Sequence, residues 1–156
     1  MEKLLIRNCE FMNIPIDSFF SKWTDVSFWN AWDINLRSAW LHDAFDKGSQ
    51  GKVMFEAHNR CPFEINWVSP NYGYAFQIKL FLATLHFRRL VEVTETGICV
   101  IHELRYSGVP MFNNRLLKKI VRNNHQSLIR LKCLLEEEHF RNKISYIGNT
   151  ITAKAS

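Results

Sequence analysis

Four prolines and six glycines among 156 residues are few, which excludes a fibrous or low-complexity chain built on those residues. The four cysteines, Cys9, Cys61, Cys99 and Cys133, stand far apart, with no C-x-x-C pair and no Cys/His cluster. Metal centres and small disulfide frameworks both need short spacings. No metal is therefore expected, and the thiols read as reduced, partly buried and cytoplasmic. No apolar run approaches the roughly 18 to 20 residues needed to cross a bilayer. The opening Leu4-Leu5-Ile6 is too short for a signal peptide and is broken by Arg7-Asn8. The net charge of +5 is spread along the chain without a dense basic run, so nucleic acid is not expected as a partner. There is no P-loop, dinucleotide fingerprint, G-x-S-x-G or H-E-x-x-H, so no cofactor is expected.

Aromatic residues are abundant. Twelve Phe and five Trp either fill a core or line a concave ligand site, and composition does not choose between them. The length suits one domain with a core that needs neither disulfide nor metal.

One long stretch, from about Pro110 to about Glu138, has helical periodicity. At about 100° per residue, Leu117, Ile120, Val121, Leu128, Leu131 and Leu135 fall within an arc of roughly 100°, with Asn124 at its centre. Gly108-Val109-Pro110 ahead of it is an end-of-strand and helix-entry signal. From about Arg141 onward the chain turns polar and small, which reads as a tail after a single domain over residues 1–140.

Upstream, Leu4 to Met12 reads as a strand closed by Asn13-Ile14-Pro15. Asp17 to Trp32, with Phe19, Phe20, Trp23, Phe28, Trp29 and Trp32, reads as two short aromatic helices broken at Asp25-Val26-Ser27. Six further strands follow: Leu36 to His42, Lys52 to His58, Phe63 to Val68, Tyr74 to Leu80, Thr84 to Val93 and Ile98 to Ser107. Their regular spacing suggests an antiparallel meander.

In the last hairpin, a Thr94–Gly97 loop places Val93 opposite Ile98. One face then carries Leu85, Phe87, Arg89, Val91 and Val93 against Ile98, Val100, His102, Leu104 and Tyr106. The other face is charged, with Arg88 set against Glu103 as a cross-strand ion pair. Arg89 and His102 become neighbours on the apolar face. Two such groups in a low-dielectric place need a counter-group. That group is an internal carboxylate such as Glu56 or Glu64, or else the acidic or carbonyl head of a ligand. Asn124 has the same two readings, a structural hydrogen bond or a ligand contact from the roof of a cavity. Phe55, Phe63, Trp67, Phe76, Phe87 and Tyr106 are candidate cavity walls or plain core. Strand-borne His58 and His102 could meet in space, but the spacing of the six histidines does not indicate a metal.

Pro15 ending the first strand, Phe19-Phe20 followed by Asp25, Trp29 and Trp32, the Gly48-x-x-Gly51 turn, Thr96-Gly97 and Gly108 together form a pattern. It resembles the polyketide cyclase/dehydrase and lipid-transport family of the START-like (SRPBCC) superfamily, over about Leu4 to Glu138. The resemblance implies an α+β helix-grip fold: a seven-stranded curved antiparallel sheet wrapped on a long C-terminal helix, with two short N-terminal helices. It also implies a hydrophobic cavity between sheet and helix, and hence binding or transport of a small hydrophobic ligand, whether a lipid, a polyketide-like or an aromatic molecule. Catalytic residues are not shared across that superfamily, so none is carried over. One alternative is a cyclase or dehydratase using Arg89, His102 and Asn124. Another is a protein-interaction module with a filled core. Basic residues flanking the long helix allow a transient contact with a membrane surface, against which Glu136-Glu137-Glu138 interrupts the positive charge.

Overall fold

The first strand pairs with the last strand in sequence, which sets the N-terminal segment at one edge of the sheet. The computed structural model describes residues 1–56, 60–109 and 115–154, with 148–154 as backbone alone. In chain order the elements are β1 (Lys3–Met12), α1 (Ile16–Trp23), a 3-10 turn (Val26–Phe28), α2 (Trp29–Trp32), β2 (Leu36–Leu41), β3 (Gln50–Phe55), β4 (Arg60–Ser69), β5 (Gly73–Leu80), β6 (Ala83–Thr94), β7 (Gly97–Gly108) and α3 (Arg115–Lys154). The strands lie in the order β1-β7-β6-β5-β4-β3-β2, every pair antiparallel. Strands β2 to β7 form a continuous meander, and β1 joins β7 at its end. α3 packs mainly on β1 and α2, with a lighter contact to β7.

The register of the β6–β7 hairpin follows the hydrophobic alternation. Val93 faces Ile98, Arg89 faces His102 and Leu85 faces Tyr106. Leu85, Val91, Val100 and Leu104 are buried on the inner face. The outer face departs from a simple wet surface at Glu103, which is 5% exposed. Its carboxylate lies 3.4 Å from Arg7 of β1 and 3.6 Å from Arg105. The expected Arg88 partner is thus superseded, because β1 adds a cation from the other side of β7.

A bulge in β4 changes which residues face the core. The pairing of β4 with β5 shifts between Ile65 and Trp67, and an extra residue in a strand reverses the alternation beyond it. Val68 consequently packs against the core. Trp67 turns to the outer face, edge-on to Tyr72 at 5.9 Å, and is not on the side where strict alternation puts it. Gly51 also has a positional role. A Cβ there would meet the Phe63 ring at 2.5 Å and the Trp40 carbonyl at 2.3 Å, so β3 passes beneath Phe63 only as glycine.

α3 continues as helix through Lys154, beyond the expected end near Glu138. No proline interrupts it between Arg141 and Lys154, and the weak helix formers Gly148, Asn149, Thr150 and Thr152 do not end it. Pro110, part of the expected entry signal, lies outside the described residues, as does His58. Gly108 does end β7, with φ of +104°.

Candidate functional site

The space between the sheet and the helical layer is held by aromatic rings around one buried cation. Trp23, Trp29 and Trp32 are each 0% exposed. Their source is the short α1–α2 segment, where the spacing 19, 23 in α1 and 29, 32 in α2 turns Phe19 and the three indoles toward the sheet. Trp29 stacks on Tyr74 of β5 at 6.0 Å and lies 5.4 Å from Phe63 and 5.0 Å from Phe76. Phe76 and Phe87, opposite one another on β5 and β6, are stacked at 4.6 Å.

Arg89 of β6 stands at the centre and is 3% exposed. Its guanidinium carbon lies 4.6 Å from the Trp32 ring, 4.9 Å from Trp29 and 4.9 Å from Phe76. A desolvated cation–π contact stabilises a buried arginine by about 2 kcal/mol, and several rings around one guanidinium share that gain without adding it in full. Its Nη1 donates to the Tyr74 hydroxyl at 2.6 Å, and its Nη2 lies 3.7 Å from Asp33 Oδ2. The counter-charge is therefore Asp33, just after α2. Neither Glu56 nor Glu64 fills that role: Glu56 pairs with Lys119 of α3, and Glu64 lines a recess with the outward residues Lys52, Gln77 and Lys79.

From Arg89 the polar contacts run in two directions. Toward the N-terminus, the Tyr74 hydroxyl donates to the Trp23 carbonyl at 3.2 Å, and Trp29 Nε1 donates to the same oxygen at 3.0 Å. That carbonyl belongs to the last turn of α1, which has no acceptor role left within its own helix. Trp23 Nε1 in turn donates to His102 Nε2 at 3.3 Å, with the two rings parallel at 5.8 Å. An accepting Nε2 makes His102 neutral, with its proton on Nδ1. Burial, followed by the charge of Arg89, holds the His102 pKa well below its ordinary value. Burial also pushes the Tyr74 phenol up to about 12, with Arg89 opposing the rise.

Toward α3, Asp33 Oδ1 accepts from the backbone and side-chain amides of Asn35, both at 3.0 Å, and from Ser127 Oγ at 3.3 Å. Ser127 Oγ accepts from the Ile34 amide at 3.2 Å, and Asn123 Nδ2 donates to Asn35 Oδ1 at 3.0 Å. One connected set of polar groups thus joins β6, β5, α1, α2 and α3. Two buried donors on the helical layer have no acceptor among the described residues: Nε1 of the fully buried Trp32, and Nδ2 of Asn124 on the sheet-facing side of α3.

Of the residues singled out from sequence, Arg89, His102, Phe63, Phe76 and Phe87 come together in this cluster. Phe55 and Tyr106 are buried in the same core. Asn124 lies half-buried on α3, and Trp67 lies on the far face of the sheet. Asp33, Tyr74, Asn35 and Ser127 were not foreseen. The Asp33-x-Asn35 pair, a local turn signature beside a tryptophan, was the one available signal for them. Among the described residues no group of three or more His, Cys, Asp or Glu is placed to hold a metal ion. Among the described residues, no helix is long and apolar enough to cross a membrane.

No protein-family model matches the sequence, and no curated protein matches it. Solved structures do match the fold. Ara h 8.0201 superposes with a TM-score of 0.66 at 10% identity, over 86% of this chain and 98% of that one. A protein from Deinococcus radiodurans gives 0.62 at 19% identity, over 85% and 96%. The di-domain ARO/CYC protein StfQ from the steffimycin biosynthetic pathway gives 0.67 at 11% identity, over 86% of this chain and 51% of its own. With its seven-stranded antiparallel sheet, paired short helices and long C-terminal helix, the chain has the helix-grip fold, which it shares with these solved structures.

Proposed function

We propose that the protein binds a small, mostly apolar molecule carrying an acceptor oxygen, between the first half of α3 and the inner face of the sheet. The observation that carries this reading is the pair of buried N–H donors, Asn124 Nδ2 and Trp32 Nε1, that no acceptor among the described residues satisfies. A buried donor left unmatched costs about 1–3 kcal/mol. A carbonyl or hydroxyl oxygen of a guest would remove that cost, and water is the alternative source of such an oxygen. The walls in this reading are Phe55, Phe87 and Tyr106, with the half-buried Leu117 and Val121 of α3 above them. Arg89, His102, Phe63 and Phe76 form the floor, since each is already engaged by its own neighbours. The likeness to StfQ supplies a fold that accommodates such a site, and no more.

A cyclase or dehydratase would need His102 or Arg89 free to act on substrate. Trp23 holds the first, and Tyr74 and Asp33 hold the second, which favours binding over chemistry. A protein-interaction module with a filled core is the second reading, favoured by the three fully buried tryptophans. Titration with anilinonaphthalene sulfonate, an apolar fluorophore with acceptor oxygens, separates the two. The binding reading expects one saturable site that Asn124→Leu weakens about tenfold, the loss of one hydrogen bond, while the ligand-free variant melts no lower than the wild type because the unmatched donor is gone. No saturable binding, or equal binding by the variant, would favour the filled-core module.

A further inference from the structure

On the outer face of the sheet, one row of cross-strand neighbours runs from Arg7 (β1) through Glu103 (β7), Arg88 (β6) and Ala75 (β5) to Trp67 (β4). Arg105 stands two residues along β7 from Glu103, on the same face. The Glu103 side chain is 4% exposed although it belongs to the outer face, with Arg7 at 3.4 Å on one side and Arg105 at 3.6 Å on the other. One carboxylate therefore gathers two guanidinia while leaving most of their N–H donors unused. Nε of Arg105 is buried and has no acceptor among the described residues. Arg88, exposed and directly across from Glu103, forms no ion pair among them either. Three guanidinia against one carboxylate leave two positive charges uncompensated. The other acidic group near them, Glu2, lies 3.5 Å from His86, whose second nitrogen is 2.8 Å from Ser107 Oγ. At the far end of the row the β4 bulge turns Trp67 outward, half-buried and braced edge-on by Tyr72 at 5.9 Å. Ala75 has only a methyl group, so one strand's width, about 5 Å, stays unfilled between the indole and Arg88.

We propose that this row binds a nucleoside monophosphate, with the base on the Trp67 indole above Ala75 and the phosphate among Arg88, Arg105 and Arg7. Charge complementarity chooses the anion, because the planar guanidinium fork matches phosphate oxygens and the unused donors of Arg88 and Arg105 face no competing acceptor. The indole chooses the other end, since any base presents a flat π-face to stack on it. A sugar between base and phosphate covers the strand's width over Ala75. The cations also decide between a monomer and a polymer. They converge on one carboxylate instead of following a line, which suits a single phosphate and not a backbone that needs a tracking groove. Glu103 acts as a positioning residue that holds Arg7 and Arg105 toward the same point. This face lies on the opposite side of the sheet from Asn124 and Trp32, so the proposal stands apart from binding in the inner space.

Titration calorimetry of the full chain with adenosine 5′-monophosphate, at about 50 mM salt to limit screening, tests the proposal. The nucleotide should saturate one site. Inorganic phosphate and adenosine should each bind at least about tenfold more weakly, since each makes only part of the contacts. Arg88→Gln, at an exposed position, should weaken the nucleotide about tenfold and leave adenosine unaffected. Trp67→Leu should weaken the nucleotide about tenfold and leave inorganic phosphate unaffected. No binding of the nucleotide up to about 5 mM, phosphate binding as tightly as the nucleotide, or wild-type affinity in either variant overturns the proposal. So does nucleotide binding that Asn124→Leu abolishes, which would place it in the inner space. An oligoadenylate that binds more tightly than the mononucleotide, with an affinity falling steeply in salt, overturns it in favour of single-stranded nucleic acid.

Discussion

His102 shows how one side chain ties stability to pH. It is buried, accepts from Trp23 and faces Arg89, so the folded protein resists protonating it. The unfolded chain protonates the same imidazole near pH 6.5. Below that value the unfolded state binds the extra proton, and stability falls as the pH is lowered from about 6.5 toward the depressed folded value. His102→Gln keeps an acceptor for the Trp23 indole and removes the titration. Urea unfolding at pH 7.5 and pH 5 (values chosen to bracket the pKa near 6.5) should give a smaller loss of stability in the variant than in the wild type. An identical loss would show that His102 is not held neutral. The residue scale also shows what sequence reading reaches. Arg89 and His102 were legible as neighbours because strand alternation and hairpin register fix cross-strand pairs. Asp33 was not, since its approach to Arg89 depends on how the helical layer lies over the sheet.

Among the elements, the link between α2 and β2 is the joint that matters most. Asp33 neutralises Arg89 of β6, and through Ser127 and Asn35 it fixes the middle of α3. Asp33→Asn keeps the shape and removes the charge, leaving Arg89 buried with only the Tyr74 hydroxyl and the aromatic rings. Breaking a buried pair from one side costs about 3–5 kcal/mol. Chemical denaturation should show a loss of that order, while Glu56→Gln, which touches only the exposed Lys119 pair, should change little. Equal small effects from both would mean that the Arg89–Asp33 contact contributes nothing to the docking of α2 on the sheet. The elements themselves were the most legible part of the fold, because their alternation and caps are local. β4 is the instructive exception: composition marks a strand there, yet nothing in its residues marks the bulge that sends Trp67 outward. The extension of α3 escaped notice for a related reason. A polar, β-branched segment reads as tail unless the sparse spacing of Phe140, Ile144 and Ile147 is set against the far side of the helix.

For the whole molecule, the sheet and α3 belong to a fold that many unrelated activities share, so function must come from what lies between them. There the chain has placed three indoles, a buried arginine and two N–H donors that find no acceptor among the described residues. The overall order of elements was readable from sequence; how much of the inner space the aromatic side chains occupy was not, because ring packing is set by tertiary contacts. Native mass spectrometry of freshly purified protein tests the central claim most directly. The account predicts a fraction of the chain carrying one small, mostly apolar molecule of defined mass, released on unfolding and diminished in Asn124→Leu. A spectrum of the bare polypeptide alone, unchanged after incubation with hydrophobic extracts, would contradict it.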